Sequence, residues 1–125
     1  MKSKLENLKS QLKKAFPRFQ EIMHEEKNDI VRDSAIHRFE FTCELAWKTM
    51  KAYLEEKGGK SLYFPKDIIR SAFQARIIGN DPKWLDMVDT RNMTSHVYNE
   101  DMAEKIYAEL PPYLPLIKKL IKDLG

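Results

Sequence analysis

A chain of 125 residues, 42% hydrophobic and 33% charged, suits one folded domain and excludes both a disordered chain and an enzyme with a separate catalytic lobe. A formal net charge of +3 permits contact with RNA or nucleotides but is not the dense basic stripe of a dedicated nucleic-acid binder. No stretch approaches the roughly 20 apolar residues of a membrane span. The first residues, Met1 to Lys14, interleave Lys with Leu and lack the apolar block of a signal peptide. Cys43 is the only cysteine, so no intrachain disulfide can form. A cytoplasmic protein without membrane attachment is expected.

Helical periodicity dominates, and no alternating strand pattern competes with it. The first predicted helix runs from about Ser3 to Met23. Leu5, Leu8, Leu12, Phe16 and Phe19 recur at helical steps, and Pro17 is expected to end or kink it. A polar linker, His24 to Lys27, follows. Asn28 is a candidate N-cap for a second helix, Asp29 to Glu56, stopped by Gly58 and Gly59. At 1.5 Å per residue this helix is about 42 Å long. Val31, Ala35, Phe39, Thr42, Ala46, Met50 and Tyr53 form one stripe, widened by Trp47. Phe41, Leu45 and Ala52 form a second stripe beside it. Such a helix needs cover on more than one side, and a partner subunit is a natural cover for one of them.

A third helix is expected from Pro65 to about Ile78, with Ile68, Ile69, Ala72 and Phe73 inward. Asp81 and Pro82 signal the start of a fourth, whose inward stripe is Trp84, Leu85 and Val88. Asn99 begins another, with Glu100 and Asp101 suited to its positive end. Pro111, Pro112 and Pro115 should kink or split it before the last turns, Leu114 to Leu124. The expected fold class is all-α: an antiparallel up-and-down helical bundle of four main helices plus short extra ones, forming one domain over residues 1–125.

The stretch that carries chemistry is Asp89-Thr90-Arg91-Asn92-Met93-Thr94-Ser95-His96-Val97-Tyr98. Arg91 falls on the inward stripe of the fourth helix. An Arg there must pair or face a wet cleft, and pairing with Asp86, Asp89 or a neighbouring helix is the plainer outcome. His96 stands five residues on. A continuous helix would turn it about 140° away from Arg91. Thr94 and Ser95 are poor helix-interior residues, so a chain that turns there can bring imidazole and guanidinium together. A structural histidine bonded to the backbone is the alternative. The Tyr98 hydroxyl can orient a phosphate, bond to His96 or be modified. A lone amphipathic tyrosine at a helix start is its commonest fate. His24, His37 and His96 are not at ligand spacing and Cys43 stands alone, so neither a metal site nor a cofactor is expected.

Taken together, Arg91, His96 and Tyr98 resemble the R-x4-H-x-Y signature of the HEPN superfamily. The wider set resembles its nucleotidyltransferase substrate-binding family: Arg38-Phe39-Glu40-Phe41-Thr42, Glu44-Leu45-Ala46-Trp47-Lys48, Pro65 to Arg70, Trp84 to Met87, and Arg91 to His96. The resemblance spans nearly the whole chain. It implies a helical bundle that forms a homodimer. It also implies a minimal nucleotidyltransferase encoded nearby, the two products forming a toxin–antitoxin pair. In that setting Arg91 and His96 are the catalytic residues of a metal-independent ribonuclease at the dimer interface, acting on RNA, with tRNA among the candidates. Asn92 and Ser95 would position phosphate, and Tyr98 would accept AMP from the partner. The same resemblance admits a non-catalytic, substrate-binding subunit of a two-component nucleotidyltransferase. A purely structural helical interaction protein is a third reading. Glu40 is expected to reach Arg91, and Trp47 and Trp84 to lie in the core.

Overall fold

The helix starts follow the capping chemistry written in the sequence. In the computed structural model, which describes residues 2–125, six α-helices and one 3-10 turn form an all-α, antiparallel up-and-down bundle, with no strand among the described residues. Helix α1 spans Lys4–Met23, α2 Asp29–Glu56, α3 Pro65–Gln74, α4 Lys83–Met93, α5 Glu100–Glu109 and α6 Tyr113–Leu124. Ser3, Asn28 and Asn99 each accept a backbone N–H of the first turn they precede, namely those of Glu6, Val31 and Met102. The Asp81 carboxylate accepts the N–H of Lys83 and opens α4.

Helix α2 stops as its glycines dictate. Gly58 adopts φ +83°, its N–H reaches the Glu55 carbonyl and the Gly59 N–H reaches that of Leu54. This is a Schellman stop. Helix α3 uses the same stop four residues before its expected end. Arg76 takes φ +61°, its N–H donates to Phe73 and the Ile77 N–H to Ala72. The C-terminal hydrophobic contact explains the early stop: Ile77 and Ile78 bury their side chains beside α4's Trp84 instead of continuing the helix. Phe73, expected inward, is 44% exposed as a result.

Pro17 does not end α1, which runs on through it to Met23. Lys13, whose carbonyl loses its usual helical donor, and Pro17 are both exposed, so the missing bond falls on the solvent side of the helix. Leu12, Ala15, Phe16 and Phe19 on the opposite face are buried and hold both halves to the core.

Helix α2 is the axis. It packs against α1, α3, α4 and α5, while α6 closes over α1 and α4. Ala35, Phe39, Cys43, Ala46 and Met50 are fully buried along its length. The expected need for cover is met largely within one chain. Ala52 of the second stripe is buried, and Phe41 is half-buried under the Arg18 guanidinium, 5.0 Å from its ring centroid. Phe39 packs between Phe19 and Tyr113, linking α1, α2 and α6.

At its N-terminal end α2 is tied to α5 by Arg32, whose side chain is 2% exposed. Its guanidinium donates to Glu100 and Glu104 at 2.9 Å each and to Asp33 at 3.0 Å. These bonds, Glu100 first, hold the Arg32 pKa above its ordinary value despite burial. Lys27 also pairs with Glu104. The bond from Lys27, then that from Arg32, lowers the Glu104 pKa from 4.5. A carboxyl whose folded pKa lies below its unfolded one stabilises the fold above the unfolded value. That contribution is lost as pH falls through the folded value. Acidification below about pH 4.5 should therefore lower the urea midpoint, and Glu104→Gln should flatten that loss. Equal acid sensitivity of the two proteins would contradict this assignment.

Candidate functional site

Helix α4 delivers Arg91 to the surface of α2. Trp84, Met87 and Val88 bury the face that fixes its rotation. Thr90, one residue before Arg91, is pinned by a 2.8 Å bond with the Tyr113 hydroxyl and a 2.9 Å bond to the Glu109 carboxylate. Burial raises the Tyr113 pKa, so this hydroxyl keeps its proton and serves as a structural tie. The last turn of α4 is thus locked to α5 and α6.

Arg91 is a quarter exposed and pairs through Nη2 with the Glu44 carboxylate of α2. Its Nη1 lies 3.4 Å from the Thr94 hydroxyl, which itself donates to the Arg91 carbonyl at 2.7 Å. Glu40, expected to be the partner, makes no hydrogen bond to Arg91 among the described residues; Glu44, one turn further along α2, takes that role. Asp89 pairs with Lys66 of α3 at 2.8 Å, and Asp86 is exposed, so neither supports Arg91.

The helix ends where Thr94 and Ser95 were expected to end it. Thr94 to His96 form a 3-10 turn, and Ser95 donates to the Asn92 carbonyl at 3.3 Å. Asn92, Ser95, His96 and Tyr98 are all exposed. The Tyr98 hydroxyl stands 3.5 Å from His96 Nδ1, the outer limit of a hydrogen bond, with the two rings edge to face at 6.0 Å. The structure therefore joins Arg91 to Glu44 and Thr94, and His96 to Tyr98. No hydrogen bond among the described residues joins the two groups.

An open groove of about 450 Å³ lies beside Arg91, lined by Glu44, Trp47, Lys48, Lys51, Tyr63, Pro65, Ile68, Arg91 and Asn92. Trp47 was expected in the core and is 7% exposed, yet its Nε1–H has no acceptor, and neither has the Nε–H of Arg91. An unsatisfied buried N–H costs about 1–3 kcal/mol. Arg91 and Asn92 were marked by their motif, but the α2 and Tyr63 walls of this groove were not legible in the sequence as a site. The usable signal was the pair of lysines at 48 and 51, one helical step apart and one turn after Glu44. Among the described residues, no three His, Cys, Asp or Glu side chains converge as a metal-ligand group.

Cys43 lies behind the Arg91–Glu44 pair and is fully buried. Burial pushes its thiol well above the ordinary range. Arg91 pulls it part of the way back, and Glu44 and Glu40 push it up again. Native protein at pH 8 should resist a thiol-reactive reagent that labels the urea-unfolded chain fully. Rapid stoichiometric labelling of the native protein would contradict this environment.

Six helices, four of them packed against α2, form a HEPN-like helical bundle, and comparison with known proteins gives the family. A family model described as nucleotidyltransferase substrate binding protein like matches residues 5–125. A probable ribonuclease HepT from Haemophilus influenzae is 38% identical over 103 residues, covering 76% of this chain and 70% of that protein. A crystal structure of a Thermus thermophilus protein superposes with a TM-score of 0.82 at 37% identity, covering 90% of this chain and 98% of the other. A Haemophilus influenzae structure, described as revealing the fold of a substrate-binding domain of a nucleotidyltransferase, gives 0.81 at 29% identity, covering 93% and 98%. The chain belongs to the nucleotidyltransferase substrate-binding protein family.

Proposed function

We propose that this protein is a metal-independent RNA endonuclease, the toxin of a two-component pair whose other member is a minimal nucleotidyltransferase. The observation that carries the reading is the end of α4. A guanidinium held at the surface by Glu44 and Thr94 precedes, by five residues, an exposed imidazole beside an exposed tyrosine. Similarity to a probable ribonuclease supports it.

In the reaction, the RNA 2′-oxygen attacks the adjacent phosphorus and the bond to the 5′-oxygen breaks. His96 takes the 2′-hydroxyl proton, and a protonated imidazole gives one to the leaving oxygen. Arg91 stabilises charge on the non-bridging oxygens. Asn92 and Ser95 contact the same phosphate. One His96 serves one proton transfer at a time, and a homodimer brings a second copy to the cleft. Tyr98, a residue 83% exposed, supplies the hydroxyl that accepts AMP from the nucleotidyltransferase partner. A modified Tyr98 beside His96 would block the imidazole. The setting is the cytoplasm, where RNA, tRNA included, is the substrate; no helix among the described residues is long and apolar enough to cross a membrane.

A second reading, a non-catalytic subunit that holds substrate for the nucleotidyltransferase, draws on a different observation. Arg91 is already paired and shares no hydrogen bond with His96. Cleavage of total RNA in the presence of a chelator separates the two. The wild-type protein should cleave, and Arg91→Ala and His96→Ala should each lower the rate by about 100-fold or more. Absence of cleavage by folded protein whose mass shows Tyr98 unmodified would overturn the ribonuclease and favour the binding subunit.

A further inference from the structure

We propose that the groove between α2, the 62–65 segment and α4 is a subsite for one unstacked nucleotide of single-stranded RNA, with the base on Tyr63 and its phosphate on Lys48 and Lys51. This rests on the ribonuclease reading and places the substrate strand relative to Arg91. Three observations meet there. The first is charge. Glu44 is taken by Arg91, whereas neither Lys48 nor Lys51 forms an ion pair with a carboxylate among the described residues, so two lysines line the groove without an anionic partner. Such a groove attracts a phosphate backbone.

The second is an aromatic platform. Tyr63 is 78% exposed, on a segment where burial gives it no role. The Lys51 ammonium lies 4.9 Å from its ring centroid, which orients the ring at the groove edge. An exposed ring beside a lysine pair is the arrangement on which single-stranded bases stack. The third is the pair of orphan donors. Trp47 Nε1–H and Arg91 Nε–H both lack acceptors, and both residues line the groove. Both N–H atoms are closed to solvent at the groove floor, so a ligand oxygen reaches them only with a small shift of the Trp47 or Arg91 side chain. The volume, about 450 Å³, falls in the usual range for a bound small ligand.

Binding is measured by fluorescence anisotropy with a short single-stranded oligoribonucleotide carrying 2′-O-methyl groups, which removes the attacking hydroxyl. Tyr63→Ala should weaken binding roughly 5- to 150-fold, the loss of one stacked base, and Tyr63→Phe should restore it. In cleavage assays Tyr63→Ala should raise KM and leave kcat within about twofold. The Lys48→Gln/Lys51→Gln double variant should reduce the salt dependence of binding by the equivalent of about one phosphate contact, and each single variant by part of that. Unchanged affinity in Tyr63→Ala, with the wild type cleaving RNA, would overturn the subsite and leave the ribonuclease standing. A wild type that neither binds nor cleaves would remove both. A change in oligomeric mass in Tyr63→Ala, with RNA affinity unchanged, would instead assign the groove to a contact between copies of the chain.

Discussion

A helix that is apolar over much of its girth cannot stand alone in water, and the bundle is arranged to wrap α2. Four helices pack against it, and its side chains from Ala35 to Met50 are the centre of the hydrophobic core. Burial of a large apolar side chain contributes roughly 1.5–3 kcal/mol, which makes this cover the main driving force for the fold. The short helices after α2 gain their stability mostly from this surface, because helices of 10 to 12 residues are marginal by themselves.

That constraint also sets the site. Helix α4 must place Trp84, Met87 and Val88 inward, and Thr90 is tied to α5 and α6, so Arg91 emerges where α2 offers a carboxylate. The Arg91–Glu44 pair is half in water, a setting in which an ion pair adds little to stability. Its effect is geometric: it fixes the direction of a guanidinium that would otherwise sample many rotamers. Thr94 then serves twice, touching Arg91 and opening the turn that exposes His96 and Tyr98. A rigid helix end followed by an exposed turn is a common way to present reactive groups from a stable scaffold.

Much of this was legible in the sequence, for local reasons. Asn28, Gly58, Gly59, Asp81, Asn99 and the Pro111–Pro112 pair act through backbone bonds within a few residues, and the helices begin and end where they direct. The departures came where a distant surface decides. Of the two outcomes expected at Pro17, an end or a kink, the end is avoided because its face is open to water and the other face is buried. The early end of α3 follows from the burial of Ile77 and Ile78 next to Trp84, which no local signal at Arg76 announces. Glu40 and Glu44 share a face of α2, and the sequence cannot tell at which level along the axis the end of α4 docks. The groove at Tyr63 depends on the same docking, so the lysines at 48 and 51 marked one wall without showing what faces it.

The central claim is that Arg91 and His96 serve one cleft. The most direct measurement is a titration of the isotope-labelled protein with a 2′-O-methyl oligoribonucleotide, following the Arg91 Nε–H and the His96 ring signals by NMR. If they share a cleft, both move along one saturation curve with one dissociation constant. Movement of Arg91 alone, with the His96 signals fixed at saturation, would show that the two residues belong to separate sites.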